Sequence, residues 1–161
     1  VDPDNRREPD FAALAQHLDS GSAELFHHES AWRDGRLKQY VTASFLRLRQ
    51  QHSALFHYGD WVPLKVAGER ADNFIAYARI KDEEALIVVV PRLVFDVAAH
   101  GLVESSAQLW GETAVSLPED LAGRRYCDAL TGESRLVEET LDLASATGWL
   151  LTLISEKERG E

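Results

Sequence analysis

Ala85-Leu86-Ile87-Val88-Val89-Val90 is an unbroken apolar run, β-branched towards its end. Such a run reads as a strand covered on both faces, because a strand with one wet face alternates apolar and polar side chains. Just upstream, Asn73-Phe74-Ile75-Ala76-Tyr77-Ala78-Arg79-Ile80 reads as a second strand, and Lys81-Asp82-Glu83-Glu84 is a polar link of hairpin length. Outward from this pair the chain divides. Towards the C-terminus it reads as further strands, whereas before about residue 58 it reads as helix and loop.

On the strand side, Val62, Leu64 and Val66 share one face of Trp61-Val62-Pro63-Leu64-Lys65-Val66. Pro63 has no N–H to donate, so this is an edge or first strand. Residues 91–109 hold no steady period, with a helical turn expected over Val94 to Ala99. Thr113, Val115 and Leu117 alternate before the loop framed by Pro118 and Gly123. Arg124 to Leu130 runs into Thr131-Gly132-Glu133-Ser134, a hairpin turn with glycine where φ can be positive, and Trp149 to Ile154 is the last strand. Six or seven short strands separated by turns suit an antiparallel sandwich or barrel rather than βαβ units.

On the helical side, two prolines, an asparagine and three aspartates make residues 1–10 a loop. Asp10 is placed to cap a short helix whose apolar residues Phe11, Leu14 and Leu18 fall at i, i+3 and i+7, ending at Ser20-Gly21. Residues 22–34 are open to more than one reading. Asp34 is placed to cap a long helix in which Leu37, Val41, Phe45 and Leu48 form one stripe, and Ser53 to Phe56 adds a turn before Tyr58-Gly59-Asp60 breaks it. One long and one short helix make no core alone, so they require a partner surface.

At 161 residues and 45% hydrophobic content the chain fits one domain, or one with part of another. A formal net charge of −10 argues against nucleic acid and anionic membrane surfaces as partners. One cysteine forms no internal disulfide, and no run is long enough to span a bilayer, so the expected location is cytoplasmic. With no methionine in the chain, Val1 is not expected to be a native start, and the chain reads as a fragment of something longer.

Val1-Asp2-Pro3-Asp4-Asn5-Arg6-Arg7, Trp32-Arg33-Asp34-Gly35-Arg36-Leu37-Lys38, Trp110-Gly111-Glu112-Thr113 with Leu117-Pro118, and Asp128-Ala129-Leu130-Thr131-Gly132 together resemble the C-terminal end of the maltooligosyltrehalose synthases, members of the α-amylase superfamily. The likeness extends in order over nearly the whole chain. It implies an α+β fold in which residues 1–58 are the C-terminal end of a (β/α)8 catalytic barrel, loop plus helices, and residues 59–161 an antiparallel β-sandwich domain. It also implies a parent enzyme that turns the reducing-end α-1,4 link of a maltooligosaccharide into an α,α-1,1 link, in trehalose biosynthesis. That is retaining glycoside chemistry, with the released glucose attacking the glycosyl-enzyme in place of water. The family's catalytic acids belong to barrel strands upstream of Val1, so no catalytic residue is assigned here. The missing barrel and a maltooligosaccharide are the implied partners, and no cofactor or metal is implied.

By the same resemblance Asp2, Asp4, Asn5, Arg6 and Arg7 lie on the catalytic face of the parent and are the candidate substrate-binding residues, since carboxylate, amide and guanidinium groups grip sugar hydroxyls in pairs. The plainer alternative is that these charges pair with one another to fix the loop. Trp32, Trp61, Trp110 and Trp149 invite a sugar-stacking reading, but Trp61, Trp110 and Trp149 are expected in the core. His27-His28-Glu29 does not suit a metal, because adjacent histidines on a helix point apart. Cys127 reads as a small hydrophobe. Two functions compete: a structural part of the synthase, inactive alone, or a separable α-glucan-binding module with exposed aromatics. In either, the stripe Leu37, Val41, Phe45 and Leu48 is a candidate surface for self-association.

Overall fold

The computed structural model describes residues 9–95, 109–145 and 151–156. The apolar run at Ala85 becomes β4 (Glu84–Pro91), which pairs with β3 (Phe74–Lys81) across eight register positions from Phe74↔Pro91 to Lys81↔Glu84. Asp82 turns the hairpin with a left-handed φ of 54°, a conformation that aspartate tolerates better than most residues.

A six-stranded antiparallel sheet grows from this pair in the order β1-β3-β4-β9-β6-β7. The added strands are β1 (Asp60–Pro63), β6 (Arg124–Asp128), β7 (Ser134–Val137) and β9 (Leu151–Ser155). A second sheet, β2-β5-β8, comprises β2 (Lys65–Ala67), β5 (Ala114–Ser116) and β8 (Thr140–Asp142). The expected single strand at Trp61–Val66 is therefore two. The chain changes sheet at Leu64, immediately after Pro63, and among the described residues β1 is an edge strand paired only with β3, where a residue without an N–H is tolerated. Val62, Leu64 and Val66 nevertheless meet the same core.

β4 is buried on both sides. Ala85, Ile87 and Val89 join Leu64, Val115, Leu141 and Leu153 in the cluster shared by the two sheets, while Leu86 and Val88 join Leu48, Leu55 and Ile154 on the opposite face. Burying an aliphatic side chain of this size contributes about 1.5–3 kcal/mol, so this strand is the energetic centre of the chain. Thr113, Val115 and Leu117 are all buried, as their alternation implies. The β6–β7 turn has Gly132 at φ 75°.

The second face of the large sheet is covered by helices α3 (Arg36–Gln51) and α4 (Ser53–Tyr58), while α1 (Phe11–Ser20) and α2 (Glu29–Arg33) pack on α3. Leu48 of α3 and Leu55 of α4 supply its apolar contact, so helices and sheet share a core. Asp10 caps α1 by accepting from the Ala13 N–H at 2.9 Å. The start of α3 differs by one residue from expectation. Gly35 occupies the cap position at φ 86°, and Asp34 serves from just outside by accepting from the Arg36 N–H at 3.0 Å, which holds its carboxyl below the usual range. Within the stripe of α3, Leu37 and Leu48 are buried and Val41 and Phe45 half-buried. No described helix is long and apolar enough to cross a membrane.

Candidate functional site

Asp2, Asp4, Asn5, Arg6 and Arg7, the candidate sugar-binding residues, lie outside the described residues, as do Trp149 and all of the Val94–Ala99 turn beyond Phe95. Other singled-out residues can be placed. Trp110 is in the core, its ring edge-on to Phe74 at 4.6 Å between centroids. Cys127 packs at the margin of the helix-facing cluster, and burial, then Glu156 and Asp128, push its thiol pKa up, which is the opposite of what a nucleophile needs. His27 and His28 are exposed, and Glu29 is engaged with Arg33 at 2.6 Å. Among the described residues no group of three or more His, Cys, Asp or Glu side chains could hold a metal ion.

Trp61 corrects the sequence-based expectation. It is 58% exposed rather than in the core. The cause is register: Trp61 pairs with Arg79 on the edge strand, with parity opposite to Val62, and α4 ends at Tyr58 before it can cover the indole. The Trp61 ring lies 5.9 Å from that of Tyr77, 30° from parallel. Both rings are diagonal neighbours on one face of the β1–β3 pair. Arg79, beside them, is committed to structure: its Nη2 donates to Gly59 O at 2.8 Å and its Nε to Leu55 O at 3.3 Å, tying the end of α4 to the sheet. Gly59 is required at that corner because a Cβ would stand 2.4 Å from Leu55 O. Tyr58, 77% exposed, precedes it. The opposite parity of Trp61 and Val62 was a signal for this outward indole; the pairing with Tyr77 needed the strand register.

The remaining motifs build the fold. In Trp110-Gly111-Glu112-Thr113, Trp110 fills the core and the buried Thr113 Oγ1 accepts from the Arg70 N–H at 3.2 Å. The backbone of this motif passes so close to Gly68, at φ 112°, that a Cβ there would stand 2.5 Å from Glu112 O. In Asp128-Ala129-Leu130-Thr131-Gly132, Asp128 is buried and its Oδ1 accepts from the N–H groups of Leu130 at 2.8 Å and Thr131 at 3.2 Å. The turn so formed presents the Leu130 carbonyl to the Tyr40 hydroxyl of α3. Helices and sheet are thus joined by a hydrogen bond as well as by the apolar cluster.

No protein-family model matches the chain. Over 132 residues, 82% of its length, it is 31% identical to a putative maltooligosyl trehalose synthase of Mycobacterium tuberculosis, strain H37Rv. The solved maltooligosyltrehalose synthase of Arthrobacter ramosus superposes on 97% of it with a TM-score of 0.66 and 29% identity. This chain is homologous to part of the maltooligosyltrehalose synthases. A further solved maltooligosyl trehalose synthase, 22% identical, shares the fold at a TM-score of 0.57. The chain spans 14% of the length of the curated synthases it matches and 18% of the solved ones. What the likeness to the synthases covers is therefore the helices and two sheets described above.

Proposed function

We propose that this chain is the C-terminal portion of a maltooligosyltrehalose synthase: the closing helices of its (β/α)8 barrel followed by its appended β-sandwich. The observation that carries this reading is a match over 97% of the chain, at 29% identity, to only 18% of a solved synthase. The exposed stripe of α1 agrees with it. Phe11, Leu14 and Leu18 are 68%, 42% and 40% exposed on an amphipathic helix none of whose residues is buried, as suits a barrel helix apart from its strands.

In the parent, a carboxylate displaces the reducing-end glucose to form a glycosyl-enzyme, a second carboxyl protonates the leaving oxygen, and the retained glucose attacks through its anomeric hydroxyl. Those carboxyls belong to barrel strands upstream of this chain. Its own part in that reaction is structural: the cluster of Leu48, Leu55, Leu86, Val88 and Ile154 fastens the sandwich to the last helices. Asp2, Asp4, Asn5, Arg6 and Arg7 sit near the sugar in the assembled enzyme. The chain alone is inactive, so incubation with maltopentaose leaves the number of reducing ends unchanged. Loss of reducing ends in that assay would overturn the structural role.

A further inference from the structure

We propose that the Trp61–Tyr77 face is a surface site for an α-1,4-glucan. The observations are geometric. Trp61 exposes 58% of its surface, although an indole is costly to leave in water, and the Tyr77 ring holds it at 5.9 Å between centroids. The mount is rigid: four register pairs fix β1 on β3, and the Arg79 bonds to Leu55 O and Gly59 O fix the corner from which β1 starts. A flat, open aromatic face that needs no rearrangement is suited to the axial C–H face of a pyranose.

Charge selects the ligand class. The strand positions around the rings, Pro63, Ile75 and Val90, are uncharged and at least partly exposed, and the neighbouring Arg79 is turned to backbone carbonyls. In a chain of net charge −10 this is a place for a neutral ligand rather than a polyanion. The two ring planes are inclined by 30°, which follows the curvature of an α-1,4-linked chain better than the flat ribbon of a β-1,4-linked one. The choice of α-glucan as the source also rests on the proposed parent activity, whereas the platform itself does not. Such a site would hold a long glucan by its middle, apart from any chemistry at its end.

The test is a titration of the 161-residue chain with maltoheptaose, followed through the tryptophan indole N–H signals by NMR, with cellohexaose in parallel. We expect the Trp61 signal to move saturably, with a dissociation constant on the order of 1 mM, as befits a small contact, while that of the buried Trp110 stays in place. Trp61→Ala should abolish binding with the remaining spectrum unchanged, because Trp61 is at the surface, and Tyr77→Ala, which also trims the margin of the helix-facing cluster, should weaken it about tenfold. An unmoved Trp61 signal at high sugar would overturn the site, as would equal binding of cellohexaose. Self-association of the chain that Trp61→Ala abolishes, with no sugar response, would also overturn it and make this face a protein contact. These outcomes are independent of whether the longer polypeptide turns over maltooligosaccharide, so each reading can fail alone.

Discussion

Asp128 is almost wholly buried, and desolvation raises its pKa above the ordinary 3.8 despite the two backbone N–H groups it accepts from. Because the folded value lies above the unfolded one, the folded state binds the proton more tightly. The stability linked to this group is fully present below pH 3.8 and is lost as pH rises through the folded value. Asp128→Asn keeps an oxygen for both N–H groups and removes the titration. Its urea unfolding free energy should therefore fall less than that of the parent chain between pH 3.8 and neutrality. Asp128→Ala leaves those N–H groups without their partner and should cost about 1–3 kcal/mol throughout. Equal pH slopes for the parent chain and Asp128→Asn would show that this carboxyl is not what burial perturbs. The Asp-Ala-Leu-Thr-Gly motif was visible in the sequence, but its function as a buried turn was not, because burial depends on β9 and α3 arriving from far along the chain.

At the scale of elements, β4 was legible because a strand buried on both faces needs no alternation, and Ala85 to Val89 show none. The caps and turns were legible where local chemistry decides them, as at Asp10 and Gly132. Less was visible where pairing partners decide. β8 has only three residues, of which Leu141 alone is buried, and it exists as a strand because β5 supplies its hydrogen bonds. The break between β1 and β2 was hidden because all three inward residues of that segment meet one core. The exposed Trp61 was missed for a related reason: whether an outward indole is covered depends on where α4 stops. The joint between α3 and the sheet gives a prediction at this scale. Tyr40→Phe removes the hydrogen bond to Leu130 and should cost about 0.5–1.5 kcal/mol. Hydrogen exchange should then quicken in α3 more than in β3 and β4, whose pairing is untouched. Uniform loss of protection would mean that the helices and sheet open together.

At the scale of the molecule, the large sheet is enclosed by the second sheet on one face and by helices on the other, yet α1 keeps its apolar stripe in solvent. A stripe of this kind is covered in a complete enzyme or by another copy. Replacing Phe11, Leu14 and Leu18 by serine should reduce hydrophobic-dye binding and any self-association seen by sedimentation. The alternative surface for a second copy, around Leu37, Val41, Phe45 and Leu48, has two of its four residues buried within the chain, so it offers less to such contact. Unchanged dye binding in the triple variant would place the sticky surface elsewhere. The central claim is that this chain completes a barrel which carries the chemistry. Its most direct test is to express the longer polypeptide to which the proposal assigns it, barrel included, and follow maltopentaose by NMR at the anomeric protons. An α,α-1,1 signal growing as reducing-end signals fall, with the 161-residue chain inert under the same conditions, is the result expected; no such signal from the longer polypeptide, or turnover by the chain alone, would contradict it.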